Sequence, residues 1–225
     1  MNTDTWLVAP LYNEGAVVGD VIRHARERFA KIVCVDDGSG DGSGKVAREA
    51  GAVVVTHPAN LGQGAAIQTG LTYALGDSAA QYFVTFDCDG QHRTEDAERM
   101  VERLRAEPLD VILGSRFLDS ETKREMGTLK KSALRVAVLF ERIATRLKIT
   151  DTHNGLRAFN RAAAQAIEIR QNGMAHATEI LHEIARYQLR YAEEPVRIVY
   201  TDYSRSKGQS LWNSVNILNE LLFHR

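Results

Sequence analysis

A chain of 225 residues carrying a net charge of −1 is long enough for one domain with a full core, and that charge balance gives no basis for general nucleic-acid binding. Hydrophobic residues at 44% and charged residues at 25% are the proportions of a globular protein; no run approaches the ~18 apolar residues of a membrane span, and the short polar opening Met1–Trp6 is not a secretory signal. Two cysteines, Cys34 and Cys88, are too few for a disulfide framework and fit a reducing cytosol.

Strand and helix signals alternate through the first half. Trp6–Ala9 is a short apolar run stopped by Pro10. Val17, Val18, Val21, Ile22, Ala25 and Phe29 then recur on one helical face. Ile32–Val35 is a second strand, cut off by Asp36-Asp37-Gly38-Ser39-Gly40, and a short helix follows over about 43–50. Ala52–Thr56 is the third strand, ended by His57-Pro58, and Gly64–Leu75 is an Ala-rich helix. Tyr82–Phe86 is the fourth strand. Ala97, Met100, Val101 and Leu104 mark an amphipathic helix whose N-terminus is favoured by Glu95 and Asp96. Val111–Leu113 is the fifth strand. This alternation predicts a parallel sheet with right-handed crossovers.

The second half reads differently. Leu129–Leu147 is a long basic amphipathic helix, and Asp151–Phe159 is a polar turn region around Asn154-Gly155. Thr178–Leu189 is a helix, Val196–Tyr200 a strand behind Pro195, and Leu211–Phe223 a final amphipathic helix with Leu211, Trp212, Val215, Leu218, Leu221, Leu222 and Phe223 as its apolar set. With no internal repeat, low-complexity tract or linker, residues 1–225 read as a single α/β domain.

The chemistry concentrates at strand ends. Phe86-Asp87-Cys88-Asp89-Gly90-Gln91-His92 releases two carboxylates where ligands bind in open α/β sheets, outside the carboxyl ends of the strands. Two carboxylates so close repel unless a cation sits near them, and hard divalent cations commonly bridge protein carboxylates to phosphates. Pro10-Leu11-Tyr12-Asn13-Glu14 offers an aromatic face for a base and a carboxylate for its donors. Asp36-Asp37-Gly38-Ser39 adds acceptors on a turn whose glycine lets the backbone approach a ligand. Each loop alone also reads as an ordinary turn; three acidic loops along one edge call for a compensating ligand or cation. From Arg116 to Lys148, nine basic residues face four acidic ones, a net +5. That segment reads either as a solvated helix face or as a surface for anionic lipid or a phosphate-bearing acceptor.

Taken together, Pro10–Glu14, Val35–Ser39 and Asp87–His92 resemble the motif series of glycosyltransferase family 2, in its dolichol-phosphate-mannose-synthase-like, polyprenyl-phosphate branch. The series continues, in the family's order, through Asn60–Gly64, Gly114–Phe117, Asp151–Arg157 and Tyr203–Ser210. The resemblance implies a GT-A (Rossmann-like) fold: a mostly parallel sheet flanked by helices. Residues 1–115 would form the nucleotide-sugar-binding half, and residues 116–225 the acceptor-binding half and C-terminal helix. It implies that Asp37, with Asp36 beside it, contacts the nucleoside of a GDP- or UDP-sugar in a pocket shared with Pro10, Tyr12 and Glu14. Asp87 and Asp89 would hold Mg²⁺ or Mn²⁺ against the diphosphate, with Gln91 as a further metal ligand. Arg116 and Arg157 would face the phosphates of donor or acceptor, and Lys207 would close over the donor. Gln63 departs from the pattern, standing where many relatives have Lys.

The expected activity is metal-dependent, inverting transfer of a sugar to a polyprenyl (dolichyl or undecaprenyl) phosphate by a cytoplasmic enzyme held peripherally at the inner membrane face. The membrane surface or a small membrane-protein partner would be met by the +5 segment and the final helix. A hydroxyl acceptor in polysaccharide synthesis would instead need a base, for which Glu179 is the candidate. His92, His153 and His176 read as supporting residues. A sugar-phosphate nucleotidyltransferase would carry a Gly-rich Arg/Lys loop after the first strand, where Pro10–Glu14 stands; a non-catalytic subunit would have lost Asp87, Asp89 or Arg116.

Overall fold

The computed structural model describes residues 1–125 and 128–199. Along the chain they form β1 (Asn2–Leu11), α1 (Val18–Ala25), β2 (Phe29–Asp36), α2 (Ser43–Glu49), β3 (Val53–Thr56), α3 (Gln63–Leu75), β4 (Tyr82–Thr85), α4 (Thr94–Ala106), β5 (Val111–Ser115), α5 (Ser120–Glu125), α6 (Thr128–Thr145), β6 (Arg157–Asn160), α7 (Arg161–Ala166), α8 (His176–Arg186) and β7 (Tyr191–Pro195). The motif Tyr203–Ser210 with Lys207, and the expected final helix Leu211–Phe223, lie outside the described residues.

The seven described strands form one sheet in the order β3-β2-β1-β4-β6-β5-β7. The apolar strand runs are continuous because helices cover both faces. Alternation along β1 sends Leu7 and Ala9 to one face and Trp6 and Val8 to the other. On the first face they join Ile22 of α1, Ala47 of α2 and Met100 of α4; on the second, Ile67 and Leu71 of α3, Ala163 of α7 and Ile180 of α8. Phe29, Phe83 and Phe159 are fully buried, each contributing about 1.5–3 kcal/mol by burial.

The sheet is mostly parallel, but not wholly, and this corrects the expectation from simple alternation. The crossover through α4 carries β5 past one strand position, and β6 fills the slot, antiparallel to β4 and to β5. The polar region expected over Asp151–Phe159 therefore ends in a strand. Arg157-Ala158-Phe159-Asn160 is too short and too polar at its ends to show a period of its own; the slot between β4 and β5 decides. Since β6 runs backwards, its first residue, Arg157, pairs with Thr85 and Leu113 at the carboxyl edge of the parallel strands.

Three further boundaries differ. Phe29 opens β2 instead of closing the first helix, which ends at Ala25. The last described strand is Tyr191–Pro195, not Val196–Tyr200. Its Pro195 is tolerated because β7 is an edge strand, paired only with β5, and Val196 and Ile198 are buried beyond it. Helices α5 and α7 have no apolar period long enough to announce them.

Candidate active site

The strand order places the loops after β2, β1 and β4 side by side at one edge. Between them lies a cleft of about 440 Å³, walled by Pro10, Tyr12, Glu14 and Asp37 and floored by Asp87, Cys88 and Asp89, with Gln63 and Met174 across from them. Tyr12 is 47% exposed, so one face of its ring is open for stacking.

Asp37 is buried and largely committed. It pairs with His57 Nδ1 at 2.7 Å and accepts from the backbone N–H of Leu61 at 2.9 Å and Gly62 at 2.8 Å, which moors the 60–62 loop as the far wall of the cleft. Gly38 beside it has φ +75°, and a Cβ there would stand 2.8 Å from the carbonyl carbon of Ala59, so only glycine closes this turn. Asp36 does not line the cleft. It accepts from the Ser39 N–H at 3.0 Å and fills the space over Gly44, where a Cβ would collide with it; it braces the turn rather than facing a nucleoside.

Asp87 and Asp89 are in contrasting states. Asp87 accepts from Gln63 Nε2 at 3.0 Å and pairs with buried His92 Nε2 at 3.0 Å. Burial pushes the Asp87 carboxyl up, but the His92 hydrogen bond and charge outweigh it and hold it below the usual range. The same pair raises His92 against its own burial. Gln63, which replaces a charge in the motif pattern, thus positions Asp87 by a neutral hydrogen bond. Among the described residues, Asp89 accepts a hydrogen bond from the Gln91 N–H alone, at 2.9 Å. Burial first, then Asp87 and Glu14, raise its pKa. A half-buried carboxylate destabilised by neighbouring carboxylates is favoured by added positive charge, and in that respect the residues fit a divalent cation. Among the described residues no three His, Cys, Asp or Glu side chains converge into a cage. The protein thus offers two carboxylates, leaving other positions to substrate oxygens and water, as Mg²⁺ tolerates. Gln91, expected as a third ligand, is tied by its backbone to Asp89 and to the Val199 N–H at 3.0 Å, and its side chain is not in the cleft wall.

The two arginines are placed differently from the expectation. Arg116 makes a fork to buried Asp151, Nε to Oδ2 and Nη2 to Oδ1 both at 2.7 Å, and does not line the cleft. Arg157 is 3% exposed, and its Nη2 donates to the carbonyl oxygens of Thr152 at 3.1 Å and Ala177 at 3.0 Å. Burial lowers it to about 10, so it stays charged at neutral pH. It lines a second cavity of about 80 Å³ that shares Gln63, Asp87 and Met174 with the first. Glu179 lines neither cavity; its Oε2 accepts from the N–H groups of Arg170 and Gln171 at 3.0 and 2.8 Å. It caps a loop and is not poised as a base. Burial holds both His153 and His176 down at about 4, so both are neutral at pH 7. His57 and Met174 were not legible as site residues: Met174 lies in a stretch with no motif, and only its place at a strand's end marks His57.

Comparison with known proteins identifies the family and the fold. The family model for glycosyl transferase family 2 matches residues 6–168. An uncharacterised protein of Methanocaldococcus jannaschii is 30% identical, over 99% of this chain and 92% of its own. The UDP-N-acetylglucosamine–dolichyl-phosphate N-acetylglucosaminyltransferase of Methanococcus voltae is 27% identical over 96% and 94%. The undecaprenyl-phosphate mannosyltransferase of Micrococcus luteus is 26% identical over 89% and 85%. Glucosyl-3-phosphoglycerate synthase from Mycobacterium tuberculosis, in complex with Mn²⁺, UDP and glucosyl-3-phosphoglycerate, superposes with a TM-score of 0.73 at 16% identity, over 98% of this chain and 79% of that one. The shared architecture is the expected GT-A fold. The family match runs through the loops that build the cleft: the chain belongs to glycosyl transferase family 2 and is a glycosyltransferase.

Proposed function

We propose that the enzyme transfers a sugar from a nucleotide-diphosphate donor to a polyprenyl phosphate, with inversion and with Mg²⁺ or Mn²⁺. The observation that carries the metal role is Asp89, a half-buried carboxylate raised by desolvation and its acidic neighbours at the floor of the cleft. The nucleoside would stack on Tyr12, with Glu14 and the remaining lone pair of Asp37 Oδ2 taking its donors, and the diphosphate would reach Asp87 and Asp89. Bound there, the cation would neutralise the charge that develops on the leaving diphosphate. Asp87, held by Gln63 and His92, would keep its orientation throughout.

The acceptor assignment rests on two supports. The relatives from Methanococcus voltae and Micrococcus luteus are named for dolichyl and undecaprenyl phosphate. A phosphate monoester has a second pKa of roughly 6, so it attacks without a general base, which suits a site where Glu179 is committed to backbone. The test is transfer of labelled sugar from a panel of UDP- and GDP-sugars to polyprenyl phosphate in detergent, read as label extracted into organic solvent. Labelled lipid is expected with Mn²⁺, lost on adding EDTA and restored by excess cation. Label appearing only in water-soluble glycan would refute the acceptor.

No helix among the described residues is long and apolar enough to cross a membrane. A peripheral contact is supported by α6, where Val136, Leu139, Phe140 and Ile143 are each more than half exposed on one side of the helix, among Arg135, Arg142 and Arg146. The opposite side, with Val138 and Glu141, is buried. An apolar stripe flanked by cations suits the interface of an anionic leaflet, each basic residue adding about 1 kcal/mol. The variant Leu139→Glu/Ile143→Glu is expected to lose most co-sedimentation with phosphatidylglycerol-containing vesicles while keeping its thermal melt. Unchanged sedimentation would remove α6 from the membrane contact.

A further inference from the structure

The second cavity holds buried polar groups that none of the described residues satisfies. Arg157 Nη1 and Asn154 Nδ2 are buried with no hydrogen-bond partner, although Arg157 Nη2 has two and Asn154 Oδ1 accepts from the Leu156 N–H at 2.9 Å. Both residues line the cavity. Buried donors without acceptors destabilise a fold, so their persistence beside the cleft points to a ligand oxygen.

We propose that this cavity receives the acetamido group of an N-acetylated donor sugar. The proposal rests on the nucleotide-sugar reading of the cleft and narrows the sugar. The carbonyl oxygen would accept from Arg157 Nη1 and Asn154 Nδ2. The methyl would pack against Ile67, Ala177 and Ile180, which form the apolar part of the wall. The amide N–H has an acceptor as well. His176 Nδ1 lies 2.8 Å from the Gly173 carbonyl oxygen, which can only accept, so the proton is on Nδ1. The ring is neutral at pH 7, so Nε2 is an acceptor. A carboxylate substituent fits less well: it has no N–H for His176, leaves the apolar wall unused, and meets the charge of Asp87 on the same cavity.

The test is calorimetric binding, with Mn²⁺ present, of UDP, GDP, UDP-N-acetylglucosamine, UDP-glucose and UDP-glucuronate to the wild type and to Ala177→Val, which narrows the cavity; thermal melts check folding. The wild type is expected to bind UDP-N-acetylglucosamine about ten- to a hundredfold more tightly than UDP-glucose, the range for satisfying buried donors. Ala177→Val is expected to shrink that ratio while free UDP binds as before. Equal affinity for the two sugars means that the cavity holds only water and overturns the proposal alone, whether or not the variant folds. Preference for UDP-glucuronate overturns it in favour of a carboxylate. Binding of no nucleotide overturns the reading of the cleft and the proposal with it; binding confined to GDP keeps that reading and overturns the proposal alone.

Discussion

Asp89→Asn is expected to lower sugar transfer by about 10²–10³-fold or more, the scale of losing a group that stabilises developing charge, while raising the thermal stability of the metal-free protein. The two effects share one cause. In the fold, burial, Asp87 and Glu14 disfavour the ionised Asp89 and raise its pKa. A raised carboxylate binds its proton more tightly folded than unfolded. Folding therefore loses stability as pH rises from the ordinary carboxylate range through the raised value. Asparagine has the same shape and can keep the Gln91 N–H bond with its side-chain oxygen, but it carries no charge, so the loss disappears; a gain of about 1 kcal/mol corresponds to roughly 2–4 °C. In the wild type, Mn²⁺ should supply the missing positive charge and raise the melting temperature, more at pH 7 than near pH 5, where protons compete for Asp89. Calorimetry at both pH values, with and without Mn²⁺, separates the contributions. An Asn variant that still melts higher with Mn²⁺, or one that turns over near the wild-type rate, would rule out Asp89 as the cation's anchor.

This trade between stability and chemistry explains why the cleft was the most legible part of the chain. Asp87 and Asp89 at the end of an apolar run, and Asp37 at the end of another, violate what a fold alone would choose, and such violations mark function. The first-half strands were legible for the opposite reason: Ile32–Val35 and Val111–Leu113 are runs of β-branched and aliphatic residues whose local preference agrees with their burial. The second half was not legible in the same way. Arg157–Asn160 becomes a strand because the crossover through α4 leaves a slot, a fact about sequence-distant elements, and Tyr191–Pro195 becomes one because β5 has an open edge. Side-chain commitments were hidden most of all. Nothing in the neighbourhood of Asp36, Arg116 or Glu179 announces that Ser39, Asp151 and the backbone at Arg170 and Gln171 are their partners, because each partner is a matter of geometry and not of spacing.

The Arg116–Asp151 pair carries the largest expected effect on stability. Asp151→Ala should destabilise the protein by about 3–5 kcal/mol, the cost of stripping one partner from a buried ion pair, or ~10 °C or more in melting temperature. Asp151 is 1% exposed and Arg116 13%, so the pair is largely shielded from water. The Asp151 carboxylate also accepts from the Arg116 N–H at 3.1 Å and the His153 N–H at 3.2 Å, and the Asp151 N–H reaches Glu193 of β7 at 3.2 Å. One side chain therefore joins the end of β5 to the loop that enters β6. Burial works against the ionised carboxylate, but Arg116 prevails and its pKa is lowered. Its stabilisation is therefore present above the ordinary carboxylate range and lost as pH falls through the lowered folded value, and the difference between wild type and variant should shrink in acid. The same loop brings Gly155 beneath Asp87, so closely that a Cβ there would strike its carboxylate. Slackening the loop is therefore expected to disturb Asp87, and turnover by the folded fraction of Asp151→Ala should fall even well below its melting temperature. Replacing both partners, Arg116→Met with Asp151→Leu, should recover much of the lost stability, since apolar pairs often substitute for buried ion pairs at little cost. A double variant that melts no higher than Asp151→Ala would show that the damage lies in the hydrogen bonds to the loop and not in the lost ion pair.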